Sequence, residues 1–269
     1  MINEKKILEI SQYIHSFIDE VDKLSMQYFN SDIPLDVITK TDGSFVTLAD
    51  QKIEDYITSK IIQFDPNHVI LGEERGQKNN DNDNDYIWII DPIDATNNYL
   101  KGIPIWATLI SCIYRNEVIS TIVSAPAMDF RLFANINQGS YKQIISLNTV
   151  KRINVSKNMD LNDSYMLYGS YSLASQVYGS NFEKLLLSTK RQRGFGDFYG
   201  HCLVAEGASD FMVDTQLHIW DIAPFLLILK EAGGAIEFTG DFSIDSIGNA
   251  ISANSLITLD KVKSIITKI

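Results

Sequence analysis

The segment that most constrains this chain is Tyr86-Ile87-Trp88-Ile89-Ile90, followed at once by Asp91-Pro92-Ile93-Asp94-Ala95-Thr96. Five apolar residues are too few for a buried helix and read as a buried strand. Two carboxylates three residues apart therefore stand at its C-terminal edge, with a hydroxyl just beyond. Pro92 fixes φ and removes a donor, which predicts a turn there. Carboxylates so placed suit a hard divalent cation, which takes oxygen ligands and brings phosphate with it. The segment reads as a metal site that handles phosphate.

With 269 residues the chain can form one large domain or two modest ones with a proper core. A formal charge of -11 lacks the basic stripe of a nucleic-acid surface. A phosphorylated substrate remains compatible, because a bound cation reverses the local field. Cys112 and Cys202 sit in apolar runs and read as reduced core thiols. The first residues, Met1 to Lys6, run into an amphipathic pattern without a signal-peptide core, and no apolar stretch approaches the ~20 residues that span a bilayer. These features predict a cytoplasmic protein that does not cross a membrane.

Ile7, Ile10, Ile14, Phe17, Val21, Leu24 and Tyr28 recur at helical spacing, so the first thirty residues predict one amphipathic helix. Ile53, Ile57, Ile61 and Phe64 form a second stripe, closed by Asp65-Pro66. Val69-Ile70-Leu71 predicts a short strand delivering Gly72-Glu73-Glu74, and the Asn/Asp-rich segment from Gln77 to Asp85 reads as a polar loop. Its Asp81, Asp83 and Asp85 do not make a calcium loop, which would need Gly at position 86 and Glu at 92. Strand-like runs follow at Trp106 to Tyr114, Val118 to Ser124, Phe130 to Asn135 and Gly139 to Lys142. After Thr149 helical and strand patterns alternate, which places a boundary between units 1–148 and 149–269.

Four acidic groups stand at the ends of apolar segments: Asp50, Glu73 with Glu74, Asp91 with Asp94, and Asp221. Taken singly, Asp50 and Asp221 read as helix caps, and the others as turn residues. The fourfold repetition of one pattern favours a shared site. Competing chemistries lack their residues. There is no Gly-x-Ser-x-Gly elbow, no P-loop and no zinc-type spacing among His15, His68, His201 and His218, which read as structural or surface groups. The aspartates of a covalent aspartyl-phosphatase would be separated by one residue, where Asp91 and Asp94 are separated by two.

Trp88 to Thr96 resembles the first signature of the inositol monophosphatase family, and Trp220-Asp221-Ile222-Ala223-Pro224, running to Gly233-Gly234, resembles the second. Gly72-Glu73-Glu74 and Val46-Thr47-Leu48-Ala49-Asp50 fall where that family has its other acidic motifs. The likeness spans about residues 5 to 255. Within the family, Lys40 to Ser44, Ala125-Pro126-Ala127, Arg193 to Gly200, Leu203 to Gly207 and Met212-Val213-Asp214 are similar to the histidinol-phosphatase-like branch.

That resemblance implies an α/β fold, a layered α/β/α/β/α sandwich of the inositol monophosphatase and fructose-1,6-bisphosphatase type, usually a homodimer. It implies a phosphate monoester hydrolase with two or three Mg2+ ions held by Glu73, Asp91, Asp94, Asp221 and the carbonyl of Ile93. Asp50 and Thr96, with Glu73, would serve the attacking water. Asp94 and the backbone amides of Ala95 and Thr96 would hold phosphate, while Arg193, Asp197 and Asp214 would meet the alcohol. An acidic pocket would suit the cationic amino alcohol of histidinol phosphate; in inositol monophosphate, Asp214 would accept hydrogen bonds from ring hydroxyls. The alternative reading of Asp214 is an ordinary surface turn, Val213-Asp214-Thr215-Gln216. Other readings are a regulatory phosphatase-like partner of the RNA machinery with little catalysis, and a 3′-phosphonucleotide phosphatase. The family usually has Gly where this chain has Ala95, so a positive φ there would strain it. Phe45 replaces a common Pro, and the Asn97-Asn98 pair has no mechanistic account.

Overall fold

The protein is described by a computed structural model covering residues 3–30, 37–39, 45–79, 85–243 and 245–267. The motif residues 40–44 and the polar residues 80–84, with Asp81 and Asp83, lie outside the described residues. The chain divides into two compact units, Met1–Ile136 with Lys142–Val150, and Asn137–Tyr141 with Lys151–Ile269.

The first unit opens with α1 (Glu4–Phe29), which buries Ile7, Ile10, Ile14, Phe17 and Val21 of the expected stripe, adds Ile18, and leaves Leu24 and Tyr28 half-buried. The Asn3 side chain caps it by accepting from the Lys5 N–H at 2.9 Å. Strands β1 (Val37–Thr39) and β2 (Phe45–Thr47) pair antiparallel and lead into α2 (Leu48–Phe64). There follow β3 (Val69–Gly72), β4 (Gly76–Lys78), β5 (Tyr86–Asp94), the short α3 (Thr96–Leu100), β6 (Ala107–Tyr114), β7 (Glu117–Ala125) and β8 (Phe130–Asn135). Along these strands the sheet order is β4-β3-β5-β6-β7-β8, with β3 and β5 parallel and the other pairs antiparallel. Strands β9 (Gly139–Ile144) and β10 (Thr149–Arg152) each begin in one unit and end in the other.

Helix α1 packs on β7, and α2 packs on β5. Trp88, Ile89 and Ile90 are all buried, which explains why β5 reads as a continuous apolar run instead of an alternation. The expected turn at Pro92 is corrected by the structure. The strand continues to Asp94, with Asp91 opposite Leu109 and Asp94 opposite Ala107. Three steps on β5 thus face two on β6, a bulge of the kind that tolerates a proline without a donor. The Thr108 hydroxyl donates to the Pro92 carbonyl at 2.8 Å and holds the bulge in place.

The second unit contains β11 (Tyr165–Tyr168), α4 (Tyr171–Tyr178), α5 (Ser180–Leu187), β12 (Arg191–Arg193), α6 (Asp197–Ala205), β13 (Phe211–His218), α7 (Ile219–Glu231), β14 (Ala235–Phe238), β15 (Ile247–Ala253) and α8 (Leu256–Ile266). Its sheet runs β12-β11-β13-β15-β14, parallel on the β11 pairings and antiparallel on the others. Met166, Phe182, Leu185, Phe211, Val213 and Val262 are among the residues that close the core between sheet and helices. Cys112 and Cys202 are free and buried. Burial raises the Cys112 thiol pKa, which keeps it protonated and inert. Among the described residues no helix is long and apolar enough to cross a membrane.

Candidate active site

The β5 bulge brings Asp91 and Asp94 onto one side of the strand end. They are 2% and 7% exposed, and each offers a carboxylate oxygen within 4.8 Å of the other. Regular alternation would place residues three apart on opposite faces; the bulge restores them to one. The Ile93 carbonyl between them accepts the Thr96 hydroxyl at 3.0 Å. A carbonyl has a second lone pair, so this bond does not prevent it from acting as a ligand. Ala95 takes φ 64° and ψ 47°, the left-handed region, and its carbonyl accepts the N–H groups of Asn98 and Tyr99.

Asp50 is fully buried at the third position of α2. Thr47 is the N-cap, and its N–H and hydroxyl both donate to Asp50 Oδ2, at 2.7 and 2.5 Å. The N-cap reading of Asp50 is thus corrected: Thr47 is the N-cap, and Asp50 is the third helical residue, closing a capping box worth about 1 kcal/mol. It leaves Oδ1 buried without a hydrogen-bond partner among the described residues. Burial pushes the Asp50 carboxyl up to about 6 against the opposing Thr47 bonds, and the charge of Glu73 pushes in the same direction. Glu73 itself is half-buried at the end of β3, its N–H donating to the Ile90 carbonyl of β5 at 3.1 Å.

In the second unit, Asp221 is the third residue of α7, and its Oδ2 accepts the His218 N–H at 2.8 Å. Here too the cap uses one of two carboxylate oxygens. The His218 ring stacks on Trp220 at 4.4 Å. Asp214 is 5% exposed at the register shift of β13. Its Oδ1 accepts the Thr215 N–H at 2.9 Å, and a Cβ on Gly169 would come within 2.0 Å of that oxygen, so only glycine leaves it room. His201 lies behind Asp214, with Nε2 3.6 Å from its Oδ2 and Nδ1 2.7 Å from the Ser252 hydroxyl. Asp197 opens α6 at φ 55°. Although the residue is exposed overall, its carboxyl is pushed up to about 6, by lost hydration first and by the charge of Asp214 second. Arg193 is exposed at the end of β12, where it donates to the Gln192 carbonyl at 2.8 Å.

The sequence reading missed Thr47, Glu54 and the His201–Ser252 pair. Only the first left a local signal, a Thr three residues before an Asp at a helix start. The candidate donors of the first unit are all oxygens, and the buried, unpartnered Asp50 Oδ1 belongs to a carboxyl that feels the charge of Glu73. This set fits a hard cation and excludes a soft one.

The inositol monophosphatase family model matches residues 10–255. The chain belongs to that family. It is 35% identical over 245 residues to a histidinol-phosphatase of Streptomyces coelicolor, covering 89% of this chain and 90% of that one. It is 31% identical over 240 residues to a histidinol-phosphatase of Mycobacterium tuberculosis, covering 89% and 91%. A solved inositol monophosphatase from Thermotoga maritima superposes with a TM-score of 0.76 at 30% identity, over 92% of each chain. The protein is thus a phosphatase with the α/β fold of the inositol monophosphatases.

Proposed function

We propose that this phosphatase requires Mg2+ and releases phosphate from a small phosphorylated amino alcohol, histidinol phosphate. The observation that carries the substrate class is the Asp197–Asp214 pair in the second unit. The charge of Asp214 raises the cost of ionising Asp197, and an ammonium group placed beside the two carboxylates would offset it. The histidinol-phosphatase names of two relatives support the same reading.

Glu73, Asp91, Asp94 and Asp221 with the Ile93 carbonyl would hold two or three Mg2+ ions. When bound, Mg2+ acidifies coordinated water and neutralises charge on the phosphate and leaving-group oxygens. The Thr96 hydroxyl spends its proton on the Ile93 carbonyl, so towards water it acts only as an acceptor. Asp50 Oδ1 is the second acceptor; together they would orient the attacking water, and the Asp50 carboxylate would receive its proton. Asp94 and the amides of Ala95 and Thr96 hold phosphate, and Arg193 provides a polar contact at the rim.

The test is phosphate release from histidinol phosphate, inositol 1-phosphate, fructose 1,6-bisphosphate and 3′-phosphoadenosine 5′-phosphate, with Mg2+ and with EDTA. Histidinol phosphate is expected to be turned over best, and EDTA to stop it. Preference for inositol 1-phosphate would favour the second reading, in which Asp214 accepts ring hydroxyls as the likeness to an inositol monophosphatase suggests.

A further inference from the structure

Helix α2 carries a second buried carboxylate one turn beyond Asp50. Glu54 is 1% exposed, a burial that carboxylates avoid unless their oxygens are satisfied. Its Oε2 accepts the N–H of Glu74 at 2.8 Å and its Oε1 the N–H of Arg75 at 2.9 Å. A Cβ on Gly72 would lie 2.1 Å from Oε1, so glycine at that position is what admits the carboxylate beneath the turn. The Glu73 N–H is already tied to Ile90 at 3.1 Å. Three successive amides, from residues 73, 74 and 75, are therefore anchored, two of them by one side chain. On the exposed side, Arg75 also forks onto Asp55, at 3.0 and 2.8 Å.

We infer that Glu54 is a positioning residue for the metal centre: by clamping the 72–75 turn to α2 it fixes the carboxylate of Glu73 relative to Asp50. The inference rests on the proposed role of Glu73 as a metal ligand. Its physical basis is that a ligand on a short turn binds only as well as its backbone is held. α2 supplies both the water-orienting Asp50 and the clamp, so one rigid helix sets both groups. The exposed Arg75–Asp55 fork is solvated and contributes little of this restraint.

The experiment is calorimetric titration of the substrate-free protein with Mg2+, accompanied by thermal unfolding and by kcat at saturating Mg2+. Glu54→Ala is expected to weaken Mg2+ binding about 10- to 100-fold, the range for lost supports of metal ligands. Glu54→Gln keeps one amide acceptor and is expected to fall between Ala and wild type, with kcat largely restored at high Mg2+. Asp55→Asn and the core variant Ile57→Val, which lowers stability without touching the turn, should leave Mg2+ affinity at the wild-type value. Wild-type Mg2+ affinity in folded Glu54→Ala, alongside a loss in Glu73→Ala, overturns the clamp. Wild-type affinity in Glu73→Ala removes the ligand assignment itself and the proposal with it. If Glu54→Ala does not fold, the isosteric Glu54→Gln decides: wild-type affinity there overturns the clamp.

Discussion

Ala95 occupies a backbone conformation that costs an L-residue with a Cβ about 1–2 kcal/mol, yet it stands directly after Asp94 at the start of α3. Ala95→Gly relieves that strain and loses part of the gain to the freer unfolded chain. The expected outcome is a rise in unfolding free energy of up to about 1 kcal/mol in denaturant titration, with kcat unchanged or higher. A large loss of activity would show that the Ala95 methyl group is used. Asp197 yields a second prediction. Its carboxyl is raised to about 6 in the folded protein, so its negative charge is present above that value and is lost as pH falls through it. The same shift gives the folded state a contribution that is full below the ordinary carboxylate value of 3.8 and is lost as pH rises from there through about 6. KM for histidinol phosphate should therefore rise between pH 7 and pH 5, and Asp197→Asn should raise KM at pH 7 while flattening its pH dependence. A wild-type KM that does not change over this interval would remove Asp197 from substrate binding. The letters marked both residues, but the sign of φ at Ala95 and the raised Asp197 carboxyl are properties of the folded backbone and came only with it.

The elements show where sequence patterns stop being informative. The α1 stripe was legible from Ile7 to Val21 apart from Ile18, since burial at every third or fourth position needs only local periodicity. The extension of β5 was not, because Pro92 obeys its local rule only if no bulge accommodates it, and the bulge depends on β6. The tie between α1 and the sheet was equally invisible. Asp22 on α1 accepts from Arg131 of β8 and from the Ser124 hydroxyl of β7, the latter at 2.6 Å, across 109 and 102 residues of sequence. Arg131 also reaches Asp19 at 2.7 Å. Burial pushes the Asp22 carboxyl up against these partners. Arg131→Leu is expected to cost about 3–5 kcal/mol, because it leaves a buried carboxylate uncompensated. Chemical denaturation measures this, and a loss below about 1 kcal/mol would show that Asp22 readily finds water or a proton instead.

At the scale of the whole molecule, a net charge of -11 opposes compaction, and the proposed site gathers further negative charge into the fold. A divalent cation that binds only the native state must then stabilise it by mass action, by about 2.7 kcal/mol at a hundred times its Kd. The melting temperature should rise with Mg2+ and fall with EDTA, and Asp94→Asn should lose both the Mg2+ shift and turnover while remaining folded. An equal Mg2+ shift in Asp94→Asn would place the cation elsewhere. The sequence by itself determined the family and the phosphatase class, through strand-end carboxylate motifs whose order and spacing are local properties of the chain. It determined the main helices and strands for the same reason. Tertiary structure alone decided that a bulge puts Asp91 and Asp94 on one side, that Ala95 is strained, that Glu54 supports the Glu73 turn from 20 residues away, and that His201 backs Asp214. These depend on contacts between segments far apart in the chain, where hydrogen-bond geometry and lost hydration are set by neighbours that no local pattern names.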